Sequence, residues 1–188
     1  MKIEIRDALE AEAGALSDIR VRSKGHWGYS HEKLEAWRPA MIVTADCIRK
    51  SSVRSIIVDG DLVGFYALKK EEGLLDHLWL VPEAIGKGVG RFAFTHAGSV
   101  ARSLGMETLL IISDADAEGF YLKMGARKIG EFYSPDQNRM LPKLLFRIPE
   151  ELNKTTAANS SERRRLAQDL RSSPPKAAAE FDSLVRRK

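Results

Sequence analysis

The chain holds a single cysteine, Cys47, so it can form no intrachain disulfide and no cysteine-based metal site, a usage that fits a reducing compartment such as the cytoplasm. It has no run of 18 apolar residues, and its start, MKIEIRD, alternates charge where a leader would be apolar; both features argue against membrane spanning and secretion. The first 150 residues also lack any excess of basic charge. They carry 21 Lys and Arg against 21 Asp and Glu, whereas residues 151–188 carry 9 against 5, so the formal charge of +4 arises wholly after residue 150. The neutral body argues against a nucleic-acid footprint on the domain itself, which would need a clustered basic face, and leaves only the tail for an anionic partner. No internal repeat is present.

What is present is a 188-residue chain with 44% hydrophobic and 30% charged residues, enough for one domain with a core. Ile3 and Ile5 alternate with charges as in a half-buried strand, and residues 9–23 then switch to helical spacing. Ser30 is placed to cap a short helix that ends at Pro39, and Thr44 a further turn through Ile48. Residues 55–58 and 62–68 flank Asp59-Gly60, a strong hairpin signal, and 74–81 supplies a third strand before Pro82. Val89, Phe92, Ala93, Ala97, Val100, Ala101 and Leu104 mark one face of a helix stopped by Gly105. A strand over 108–112 then pairs parallel with 74–81, because a helix crosses between them. A helix over 116–124 and strands near 127–133 and 143–148 complete an α/β domain that ends at about residue 150. Asn153 to Ser161 reads as a linker, and the basic tail to residue 188 as weakly structured.

The most informative stretch is Leu80-Val81-Pro82-Glu83-Ala84-Ile85-Gly86-Lys87-Gly88-Val89-Gly90-Arg91, in which a strand enters a loop with glycine at alternate positions and leaves as an amphipathic helix. Such a loop brings backbone N–H groups and the positive helix end to an anion, with Lys87 and Arg91 adding charge. It is not a Walker loop, since Gly88 follows Lys87 where Ser or Thr is needed. The dinucleotide pattern fails as well, because the third glycine comes one residue too early.

This stretch resembles the cofactor loop of the GNAT N-acetyltransferase superfamily. Asp114-Ala-Asp116-Ala117-Glu-Gly-Phe120-Tyr121-Leu-Lys-Met-Gly125 is similar to that family's second signature, Asn-x-x-Ala-x-x-Phe-Tyr-x-x-x-Gly-Phe. The departures are Ile85 for the usual Arg or Gln, Asp114 and Asp116 where Asn is common, and Ala126 for Phe. The resemblance implies a mixed, mostly antiparallel sheet of about seven strands flanked by helices, with strands 74–81 and 108–112 splayed to admit pantetheine. It implies acetyl-CoA as co-substrate, no metal, and transfer of an acetyl group to a small-molecule or peptide amine by direct attack. A homodimer paired through the last strands is compatible with it.

By the same resemblance, backbone groups at Leu80, Val81 and the loop Ile85 to Arg91 hold the cofactor, and Asp116, Ala117 and Phe120 border its pantetheine arm, Phe120 chiefly as packing. Tyr121 matches the general acid for the departing thiolate. An amine of pKa about 10.4 must lose its proton before attack, at a cost of roughly 4–5 kcal/mol at neutral pH, so a general base helps. Asp76 is the candidate: it is expected on one strand face with Leu74, Leu78 and Leu80, and either serves as base or pairs with a basic neighbour. His77 is expected on the opposite face as a core histidine, and Trp79 as packing against the cleft wall. His26, Trp27 and Tyr29, between two short helices, either contact the acceptor or cover the core. Two other classes of function remain compatible with the residues: a catalytically silent acyl-CoA-binding sensor or scaffold, and a nucleic-acid adaptor acting through Arg163 to Arg165 and Arg186 to Lys188.

Overall fold

The computed structural model describes residues 1–150; the expected linker and basic tail lie outside the described residues. Seven strands form one sheet in the order β1-β2-β3-β4-β5-β7-β6. They are β1 (Ile3–Asp7), β2 (Ser52–Val58), β3 (Asp61–Lys69), β4 (Leu74–Leu80), β5 (Thr108–Ile112), β6 (Arg127–Ser134) and β7 (Arg139–Arg147). Only β4 and β5 pair in parallel, as their helical crossover requires. The β2–β3 turn has positive φ at both central residues, Asp59 (53°) and Gly60 (99°), the geometry that a two-residue hairpin favours.

Among the described residues five α-helices flank the sheet: α1 (Ala13–Gly25), α2 (His31–Trp37), α3 (Ala45–Lys50), α4 (Val89–Ser103) and α5 (Glu118–Lys123). Ser30 caps α2 by accepting from the Lys33 amide, and Thr44 caps α3 by accepting from that of Cys47. Leu16 and Ile19 of α1 enter the core with Val43, Ile48, Val53 and Phe65. On α4 the buried stripe runs through Val89, Ala93, Ala97 and Ala101 as expected, but it widens toward Phe94 and leaves Phe92 46% exposed. The reason is tertiary: Phe94 completes an aromatic cluster with Phe120, Tyr121 and Phe146, at ring separations of 6.1, 5.7 and 4.9 Å.

Two strand details depart from the sequence expectation. β7 begins at Arg139 and carries Pro142 in its interior. The Pro142 carbonyl accepts from the Ser113 amide (2.9 Å), so its missing N–H faces the β5 side just past the last pair there, Ile112 with Lys143, and no bond to β6 is lost. In β4, Ala67 pairs with His77 and Leu68 with Leu75, which leaves Asp76 as the extra residue of a bulge. The alternation expected for residues 74–80 therefore breaks at Asp76. Instead of lying across the sheet from His77, the Asp76 carboxylate stands 3.4 Å from its Nε2.

Candidate active site

The glycine loop presents unused N–H groups. Gly86 (φ 77°) and Gly88 (φ 84°) lie in the left-handed region, and Gly88 is the N-cap of α4. The first helical bond of α4 is from the Phe92 amide to the Gly88 carbonyl, 3.1 Å, so the amides of Val89, Gly90 and Arg91 have no helical carbonyl to bind. They point out of the positive end of a 15-residue helix. The Ile85 amide, by contrast, is spent within the preceding turn on Pro82 O (3.1 Å).

Beside the loop, the parallel strands pair only through Leu74 with Leu110 and Leu75 with Ile111, then part. The Val81 amide donates to Val63 O (2.8 Å), across to β3; strand alternation then turns the N–H and C=O of Leu80 toward the gap. On the far side the Ser113 amide is bound to β7, which turns the backbone of Ile112 toward the same gap. The gap opens into a cavity of about 490 Å³ that runs from the glycine loop past Asp76 to Tyr121.

Asp76 of β4 and Tyr121 of α5 both meet this cavity. Asp76 lies at the point where the strands part, 3.3 Å from Lys69 Nζ as well as close to His77. His77 packs edge-on against Phe65, and burial together with Arg20 pulls its pKa down to about 4, so it is neutral near pH 7. Tyr121 is 7% exposed, and burial raises its phenol above the ordinary value of 10. It therefore keeps its proton across the neutral range.

A polar cluster stands behind Asp114 and Asp116, which line the cavity on its other side. Lys24 of α1, only 3% exposed, is ion-paired with Asp114 and donates to Gln137 Oε1 at 3.0 Å. Arg139 donates to Asp114 Oδ2 (2.9 Å) and to the Tyr29 hydroxyl (2.9 Å), and that hydroxyl in turn lies 2.9 Å from Asp114 Oδ1 and 3.1 Å from Asp116 Oδ2. Trp37 offers its ring face to both cations, at 4.9 Å from Lys24 Nζ and 5.6 Å from the Arg139 guanidinium. Burial lowers the Lys24 ammonium below its ordinary value. Burial also pushes the Asp114 carboxyl up, but Lys24, Tyr29 and Arg139 outweigh it and leave the group below the usual range. Burial raises the Tyr29 phenol to about 12.

Of the residues singled out in the sequence, Asp76, Leu80, Ile85, Gly86, Gly88, Gly90 and Arg91 line the cavity, as do Asp116, Ala117, Phe120, Tyr121 and Trp27. Val81, Lys87, Val89, His26 and Tyr29 do not. Val89 is a core residue at 1% exposure, His26 lies edge-on against Trp27 (5.0 Å), and Tyr29 is held in the polar cluster. Lys24, Gln137 and Arg139 escaped the sequence reading. One signal was available for Lys24: it continues the buried stripe Leu16, Ile19, Ser23 of α1, where a lysine is out of place unless paired. Among the described residues, no group of three His, Cys, Asp or Glu side chains is placed to hold a metal ion.

The fold has relatives. Residues 28–142 match the family model of the acetyltransferase (GNAT) domain, and the chain belongs to that family. Its members transfer an acyl group from acetyl-CoA. The fold is similar to that of a GCN5-related N-acetyltransferase from Rhodopseudomonas palustris, with 22% identity, a TM-score of 0.65, and 78% of this chain and 96% of that one covered. It is likewise similar to the PaiA N-acetyltransferase from Thermoplasma acidophilum, whose structure contains coenzyme A (19% identity, TM-score 0.65, 78% and 99% covered). A third similar structure is the ribosomal-protein-S18-alanine N-acetyltransferase from Escherichia coli (14% identity, TM-score 0.58, 78% and 94% covered). No curated protein matches the chain in sequence.

Proposed function

We propose that this protein transfers an acetyl group from acetyl-CoA to a primary amine of a small molecule or a polypeptide. The observation that carries this reading is the continuity of three features: free amides at the start of α4, a gap between β4 and β5 edged by unpaired backbone, and a cavity holding both Asp76 and Tyr121. The amides of Gly86 to Arg91 fit a diphosphate, since each is a donor and the helix end adds positive potential. The backbone of Leu80 and Ile112 fits an extended amide arm, which adds to the sheet as a strand would. Acetyl-CoA supplies the activated acyl carbon.

Asp76 acts on the incoming amine. Its carboxylate, fixed by Lys69 and neutral His77, accepts the ammonium proton, directly or through water. Tyr121 acts on the departing sulfur. A thiol of pKa about 8.5 is a stronger acid than this phenol, so Tyr121 stabilises the developing thiolate chiefly as a hydrogen-bond donor, and full proton transfer to it runs uphill. Trp27 borders the acceptor end. The test is thiol release from acetyl-CoA by the purified protein across a panel of small amines and peptides. Release with at least one amine, and a doubling of rate with enzyme concentration, supports the reading; saturable acetyl-CoA binding with no release for any amine identifies a silent binding module instead.

A further inference from the structure

The aromatic cluster around Phe94 buries the Tyr121 ring, but α5 is only six residues long and cannot fix its own direction. Its start depends on Asp114. That side chain accepts from the Asp116 amide (3.4 Å) and its carbonyl from the Ala117 amide (3.1 Å), so Asp114 caps the turn Ala115–Ala117 from which α5 continues. The same carboxylate is the one gripped by Lys24, Arg139 and Tyr29. A neutral Asn could cap this turn unaided. A carboxylate removed from water needs a counter-charge, and here two cations far apart in the sequence supply it.

We propose that Lys24 and Arg139 are positioning residues for Tyr121: by fixing the Asp114 carboxylate they set the direction in which α5 leaves β5, and with it the place of the phenol in the cavity. This rests on the reading of Tyr121 given above. Lys24 of α1 and Arg139 at the start of β7 both bind the Asp114 carboxylate at the end of β5, so two segments distant in sequence are tied to the wall of the cavity from which α5 departs. Lys24 does not itself line the cavity, so its effect on the reaction passes through Asp114.

A double-mutant cycle on the full chain tests this. Lys24→Met is expected to lower kcat for thiol release about tenfold or more, with the acetyl-CoA dissociation constant within about twofold of wild type, since small misplacements cost turnover before they cost binding. Combined with Tyr121→Phe, it should add almost nothing, because both changes remove the same contribution. Lys24→Met with Asp114→Asn should recover most of the loss, since the neutral cap needs no counter-charge. Additive effects of Lys24→Met and Tyr121→Phe, or no recovery in the Asn background, overturn the proposal. Should Lys24→Met fail to fold, Arg139→Gln, at a more exposed site, takes its place. Hydrogen exchange of the amides over 115–124 gives a readout independent of turnover: faster exchange in the Lys24 variant, restored by Asp114→Asn, is expected, and unchanged exchange contradicts the proposal. A wild-type rate for Tyr121→Phe alone is a different result, which removes the Tyr121 reading itself.

Discussion

Asp76 and Tyr121 are the two side chains on which the proposed chemistry rests, and each reaches the cavity for a different reason. Tyr121 was legible from sequence because a Phe-Tyr pair at fixed distance from Asp114 is a local pattern, and the aromatic cluster around Phe94 then buries it. Asp76 was legible as a residue but not in its orientation: a bulge is decided by how two strands settle against each other, and no period in residues 74–80 announces it. Tyr121→Phe is predicted to lower kcat by about 100-fold with little change in acetyl-CoA affinity, measurable by steady-state thiol release beside a binding titration. Asp76→Asn is predicted to lower kcat/KM most at low pH, where the amine is most protonated, and least as pH approaches the amine's own pKa. Because burial raises the Tyr121 phenol above 10, it stays protonated up to that pH, so no descending limb from its ionisation should appear in the neutral to mildly alkaline range.

At the scale of elements, the unit that matters is the glycine loop with the first turn of α4. The loop itself was legible from sequence, since glycine at alternate positions between a strand and an amphipathic helix is a local pattern. An added Cβ at Gly88 would meet nothing within 4 Å, so space does not demand glycine there; the positive φ does. Gly88→Ala therefore costs about 1–2 kcal/mol of left-handed strain or a shift of the loop, and acetyl-CoA binding is predicted to weaken about tenfold while the fold persists. The tie between α1 and the β6–β7 turn was not legible. Lys24 and Asp114 are 90 residues apart, and Asp114 and Arg139 a further 25, so the partners become neighbours only once the sheet has formed.

For the molecule as a whole, the β2-β3-β4-β5 part of the strand order and its parallel pair followed from turn signals and one helical crossover, whereas the places of β1 beside β2 and of β7 between β5 and β6 are set by long-range pairing that no local signal announces. Among the described residues no helix is long and apolar enough to cross a membrane. Global stability should fall with acid in two stages. His77 has its pKa depressed from 6.5 to about 4, so the unfolded chain binds the proton first, and the neutral-state advantage is complete above about 6.5 and lost as pH falls toward 4. Glu12, bound by Arg6, has its carboxyl lowered from 4.5 to about 2, so its contribution is present above 4.5 and lost as pH falls to about 2. Denaturant titrations at a series of pH values should show both stages, and His77→Gln should abolish the first. The central claim, that the amides opening α4 and the gap between β4 and β5 together form one acetyl-CoA site, is tested most directly by titrating acetyl-CoA into the folded full-length protein in a calorimeter. Saturable heat with one equivalent bound, weakened in Gly88→Ala, is predicted; a flat titration from folded protein contradicts it.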